Sequence, residues 1–171
     1  PERWEETYFF AKNRTETILD KNQKKIICLE EKGVIYGKDL VDLEYEPLYK
    51  IPAVKNSGKK AHYVVSADFV NTEDGTGIVH IAPMHGEDDY NVGIQYELPI
   101  VPLLDSSGHF SDEAPELIRG FYLKKGEKYI KEDLEKRGLI FAKQAHTHSY
   151  PHCHRCETPL YYSALSSWFI N

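Results

Sequence analysis

The order of apolar and polar residues changes period several times along the chain. AHYVVSADFV (61–70) gathers β-branched and aromatic residues and reads as the clearest strand. IVHIAP (78–83) alternates, so Val79 and Ile81 would share one face, with Ile78, His80 and Ala82 on the other, and Pro83 would end the strand. TYFFAK (7–12), KKIICLE (24–30), the second half of VIYGKDLVDLEYEPLY (34–49), PIVPLL (99–104) and LIFAKQAHTHSY (139–150) read as further strands. Helical spacing shows in three places. RTETILDK (14–21) is a short helix. EDDYNVGIQYEL (87–98) opens on acidic residues, as the positive end of a helix dipole favours. KKGEKYIKEDLEKRG (124–138) is the best helix, with Tyr129, Ile130 and Leu134 on one stripe and Gly138 placed to stop it. Many short strands, few helices and no regular strand–helix–strand alternation predict an α+β fold with a curved or barrel-like sheet and peripheral helices.

A length of 171 residues suits one domain with one core. The net charge of -6 argues against a protein that coats nucleic acid generally. It leaves room for local contact with one RNA end through KNSGKK (55–60) or LKKGEKYIK (123–131), against the alternative that both are solvated surface. No apolar run reaches the roughly 18 residues of a membrane span, and no signal peptide opens the chain. A cytoplasmic protein with no membrane partner is expected. The opening PERWEETYFF reads like the middle of a domain, so the chain is expected to be a piece of a longer protein. Three cysteines, an odd number without a secretory signal, point to a reducing compartment and away from a disulfide framework. Cys28, inside KIICLE, is expected to be a small core residue.

Chemistry concentrates in GTGIVHIAPMHGEDDY (75–90). Two glycines around a threonine tolerate unusual backbone angles and let N–H groups approach a ligand. After Pro83, His85 and Gly86 form a bend, and Asp88 and Asp89 fall in the first turn of the next helix. This order can bring His80 and one aspartate to a common cleft. Three readings compete. His80, His85, Asp88 and Asp89 have metal-ligand chemistry, although their spacing matches no familiar metallohydrolase pattern. Asp88 or Asp89 could cap the helix while His80 is a satisfied half-buried residue. In the third reading, an aspartate holds a cationic group of a small molecule and a histidine shapes its pocket. Periodicity does not choose between the last two.

A second cluster lies in HTHSYPHCHRCETPL (146–160), where His146, His148, His152, Cys153, His154 and Cys156 are all borderline or soft ligands. Cys153-x-x-Cys156 is half of a zinc knuckle, and a closed structural zinc site needs four ligands. The other pair could be histidines here or cysteines outside this chain. The alternative is two free thiols.

At these two clusters the sequence resembles the editing domain of isoleucyl-tRNA synthetases. GTGIVHIAPMHGEDDY resembles that domain's signature, and SYPHCHRCETPLYYSALSSWF resembles the segment by which the inserted domain returns to the catalytic core. GKDLVDLEYEPLY and AHYVVSADFV extend the likeness over nearly the whole chain. The valyl and leucyl enzymes share the GTG and a downstream aspartate but usually lack the pattern of His80, Ala82 and Pro83, and they lack the YPHCxRC return.

The resemblance implies an editing domain over 1–150, truncated at its N-terminal side, and a return segment over 151–171. It implies hydrolysis of valine mischarged onto tRNA(Ile), with valyl-adenylate as a further substrate. Valine and isoleucine differ by one methylene, worth about 1–3 kcal/mol in an apolar pocket, which is too little for accurate decoding without a second site. Asp89 would hold the α-ammonium group of the misplaced amino acid, with Asp88 beside it. His80 would line the side-chain pocket, and Gly75, Thr76 and Gly77 would form the neighbouring loop. No catalytic metal or other cofactor is implied in the site. Cys153 and Cys156 would belong to a structural zinc site of the full-length enzyme, where ATP binding also resides. The implied partners are the acceptor end of tRNA(Ile) and the remaining synthetase domains. One departure matters: the family's threonine-rich segment, of the form TTTPWT, has no counterpart here. The isolated piece is therefore expected to hydrolyse poorly or not at all. Two rivals remain from other classes, a zinc-dependent RNA-binding module over 146–156 and a metal-dependent hydrolase using His80, His85 and Asp88.

Overall fold

A computed structural model describes residues 7–20, 32–143 and 149–168. The predicted strand at 24–30, Cys28, His146 and His148 lie outside them. The chain forms two compact units, one from Pro1–Val41 and Ser66–His80, the other from Asp42–Val65 and Ile81–Asn171.

In the first unit a 3-10 turn, Lys12–Arg14, leads into the short helix α1, Thr15–Asp20. The Thr15 hydroxyl donates to Lys12 O at 2.7 Å and tightens that entry. Ile18 is the buried apolar side chain of this unit among the described residues. A second 3-10 turn, Gly37–Leu40, is closed by Asp39, whose carboxylate accepts the Tyr36 N–H at 3.1 Å. The segment around 76 is tied back to the N-terminal part by the Ala11 N–H, which donates to Thr76 O at 2.7 Å.

The second unit holds three helices: α2 (Pro52–Asn56), α3 (Glu87–Gln95) and α4 (Leu123–Lys136). Proline opens α2, where its missing N–H costs nothing. Both longer helices end in the same hydrogen-bonded motif. In α4, Leu139 N–H reaches Leu134 O at 2.9 Å and Gly138 N–H reaches Glu135 O at 3.0 Å, with Gly138 at φ +69 as its position in the sequence predicts. In α3, Leu98 N–H reaches Gly93 O at 2.8 Å, and the left-handed position is filled by Glu97 at φ +54. That is why the helix predicted to 98 stops at Gln95.

The predicted strands are not realised as strands among the described residues. Extended segments meet instead at isolated antiparallel bridges, Glu44↔Tyr63, Leu104↔Phe110, His109↔Tyr122 and His152↔Pro159. A barrel-like sheet is therefore not present among these residues, and the reason is local. Asp42 (φ +68) and His62 (φ +60) turn the backbone out of the extended region on either side of the first bridge. Pro99 and Pro102 remove two N–H donors from PIVPLL. In 78–83, Ile78 and Val79 are each about half exposed, so the predicted inside–outside alternation is absent.

Packing rests on a thin apolar core. In the second unit Val92, Ala114 and Ile118 are buried, and no large side chain is completely so among the described residues. The α4 face is held partly by polar contacts. Tyr49 Oη donates to Asp133 Oδ2 at 2.7 Å, and Arg137 donates to the same oxygen at 3.0 Å and to Leu48 O at 3.1 Å. Burial, reinforced by the bond to Asp133, pushes the Tyr49 hydroxyl up to about 12. Gly126 is buried in α4 because the edge of the Phe110 ring fills the place a Cβ would take. An exposed helical glycine usually gains about 1 kcal/mol on replacement by alanine. Here overpacking should reverse the sign, so Gly126→Ala is expected to destabilise the chain by about 1–3 kcal/mol in urea unfolding. Adding Phe110→Ala should return part of that loss; strict additivity of the two substitutions would contradict the contact.

Candidate functional site

Gly75, Thr76, Gly77 and His80 belong to the first unit, Asp88 and Asp89 to the second. In the first unit Asn71 starts the turn, its Oδ1 accepting the N–H groups of Glu73 and Asp74 at 2.9 and 3.1 Å. Gly75 and Gly77 adopt φ +58 and +77, angles that glycine takes without strain. The close approach that Gly77 permits is to the protein itself, since a Cβ there would lie 2.8 Å from Ala11 Cβ. Thr76 folds its hydroxyl onto its own turn, donating to Ile78 O at 3.1 Å and accepting the Ile78 N–H at 3.3 Å. Gly75 O accepts Arg14 Nε at 3.3 Å. The loop predicted to offer backbone N–H groups to a ligand thus spends two carbonyls, those of Gly75 and Thr76, on Arg14 and Ala11. His80 is exposed at the end of this unit.

In the second unit the chain turns from Ala82 through Gly86 into α3. Glu87, Asp88 and Asp89 fill the helix's first turn, where the dipole stabilises negative charge. No side chain caps the helix, so the expectation that an aspartate serves as its N-cap is not met. Asp89 instead turns back, and its Oδ2 accepts the Ala82 N–H at 3.3 Å. The carboxylate is half-buried, whereas Asp88 is exposed. Two glycines make room for this corner. A Cβ on Gly86 would lie 3.1 Å from Asp89 Oδ2, and one on Gly93 would lie 2.8 Å from Pro83 Cβ. Gly93 is buried in α3 and lets the helix rest on Pro83. The sequence carried a signal for it, because an isolated glycine inside a helical pattern usually marks close packing. A carboxylate with one oxygen tethered and the other able to accept suits a cationic amine.

Among the described residues no three His, Cys, Asp or Glu side chains gather into a group that could hold a metal. Within the second unit, His85 Nδ1 already meets Tyr162 O at 3.0 Å.

Cys153 and Cys156 share one hairpin turn, closed by Cys153 N–H to Thr158 O and Glu157 N–H to Cys153 O, both at 2.9 Å. Cys156 Sγ lies 3.1 Å from Thr158 Oγ1. That hydroxyl first, then the Thr158 backbone and the neighbouring Cys153, holds the Cys156 thiol below its ordinary value. Two thiols on one turn, one of them more acidic than an ordinary thiol, have the chemistry of half a zinc site. His152 turns its Nδ1 to Tyr150 O at 2.9 Å, and His154 is exposed. No helix among the described residues is long and apolar enough to cross a membrane.

No family model matches the chain. Individual relatives do. An isoleucine--tRNA ligase of Clostridium novyi is 42% identical over 165 residues, 96% of this chain and 15% of that protein. One from Clostridium acetobutylicum is 47% identical over 134 residues, 78% of this chain and 13% of the relative. One from Thermotoga neapolitana is 38% identical over 169 residues, 98% of this chain and 17% of the relative. Over most of its length the chain matches a segment of isoleucine--tRNA ligases, and it spans 13 to 17% of the length of these relatives.

Proposed function

We propose that this segment is the editing domain of an isoleucine--tRNA ligase, hydrolysing the ester between valine and the terminal adenosine of tRNA(Ile), and valyl-adenylate as a further substrate. The observation that carries the reading is the corner at Ala82–Asp89. It presents a half-buried carboxylate beside an exposed helix start, inside the motif that resembles the family's editing signature. In this reading Asp89 accepts from the α-ammonium group of the aminoacyl ester, which fixes the ester carbonyl relative to the attacking water. Asp88 adds negative potential at the mouth. On the resemblance, His80 is assigned to discrimination against the extra methylene of isoleucine, and Gly75, Thr76 and Gly77 to substrate binding. Water is positioned by the substrate and by protein groups; no Ser-His-Asp arrangement is invoked.

The same reading assigns 1–150 to the editing domain and 151–171 to the return toward the catalytic core. The bridged pairs at Glu44↔Tyr63, Leu104↔Phe110 and His109↔Tyr122 are the pieces a barrel-like sheet would use. The partners are the acceptor end of tRNA(Ile) and the other domains of the ligase, in the cytoplasm. A zinc ion, held by Cys153 and Cys156 with two ligands from elsewhere in the protein, would brace the return segment structurally and takes no part in hydrolysis.

Asp89→Ala in an intact ligase carrying this segment should lower Val-tRNA(Ile) hydrolysis by about two orders of magnitude, the scale of losing a charged partner at a desolvated contact. Isoleucylation should hold within about twofold, because a separate site performs it. Unchanged hydrolysis of the mischarged tRNA would sink the assignment. For the cysteine turn, Cys153→Ser or Cys156→Ser should remove zinc from the purified ligase, read by elemental analysis. Equal zinc content in wild type and both variants would show that the turn holds none.

A further inference from the structure

The corner that presents Asp89 is clamped from a distant part of the same unit. His85 lies 77 positions before Tyr162 in the chain, yet its Nδ1 stands 3.0 Å from the Tyr162 carbonyl oxygen. A carbonyl only accepts, so Nδ1 carries the proton and donates. The His85 ring also meets the Tyr161 ring edge-on, with centroids 6.4 Å apart at 69°. One residue earlier, Met84 O accepts the Ala164 N–H at 3.2 Å. The clamp continues inward: the His85 N–H donates to Ala82 O at 2.8 Å, and the Ala82 N–H donates to Asp89 Oδ2 at 3.3 Å. Residue 82 therefore faces the clamp through its oxygen and the carboxylate through its nitrogen. A tilt of the 84–86 bend would swing the N–H that orients Asp89.

We propose that His85 is a positioning residue for the editing reaction, acting through Ala82 on Asp89 and taking its own orientation from Tyr161 and Tyr162. This rests on the reading of Asp89 as the ammonium anchor. The return segment is then part of the editing site's scaffold as well as its exit. The distinguishing chemistry is a single N–H donor at the δ position of residue 85. Asparagine can place a donor there; glutamine extends its donor one carbon further, and alanine has none.

The test compares Val-tRNA(Ile) hydrolysis by an intact ligase carrying this segment with His85→Ala, His85→Gln and His85→Asn, beside Asp89→Ala. Displacing a positioning contact by a fraction of an ångström should lower kcat for hydrolysis by about tenfold in the alanine and glutamine variants. KM, set mostly by the body of the tRNA, and isoleucylation should stay near wild type. The asparagine variant should recover hydrolysis to within about threefold of wild type, since it restores the donor. Wild-type hydrolysis by His85→Ala would overturn the proposal, as would an asparagine variant no better than alanine. A wild-type rate for Asp89→Ala would instead overturn the editing reading itself, whatever the His85 variants do.

Discussion

The second unit depends on one steric permission. Helix α3 can lie on Pro83 only because residue 93 has no side chain. Pro83 in turn breaks the extended segment before it and starts the bend. From that contact follow the entry angle of the helix, the room beside Gly86, and the bond between the Asp89 carboxylate and the Ala82 N–H. A methyl group on Gly93 would lift the helix and move the carboxylate with it. The site is therefore fixed by close backbone packing more than by hydrophobic mass, in keeping with the few fully buried apolar side chains among the described residues.

Such a site suits discrimination by placement. One methylene changes transfer energy by only about 1–3 kcal/mol, so in the proposed editing reading selectivity between valine and isoleucine would come from holding the common ammonium group where only the smaller side chain fits. A tethered aspartate on the first turn of a helix is a stiff anchor of that kind. Its bond to the Ala82 N–H fixes one carboxylate oxygen, and the bend that carries residue 82 is tied through His85 to Tyr162.

Helices were the legible part of the sequence. The stripe in α4 and the stop at Gly138 follow from spacing and from glycine's access to left-handed angles. Asp88 and Asp89 in the first turn of α3 were legible for the same reason. The strands were not. β-branched and aromatic runs such as 61–70 report a preference for extended backbone, but a ladder also needs an aligned partner, and left-handed residues at Asp42 and His62 interrupt the pairing. The longer-range contacts left little local trace. The Tyr49–Asp133–Arg137 cluster and the His85–Tyr162 bond join residues 84 and 77 positions apart, beyond the reach of any periodicity. For the GTG turn the conformational demand was readable, but its purpose was not, since Gly77 makes room for Ala11.

The far end of the described chain has a different physical character. Tyr162 is 69% exposed, Leu165 84% and Trp168 99%, in a run tied to the unit by the Ala164 N–H, which donates to Met84 O. The backbone is anchored at Ala164 while these apolar side chains stand in water. Contiguous apolar surface of this sort drives association at interfaces and between molecules. For the segment handled alone, self-association through these side chains would rise with concentration.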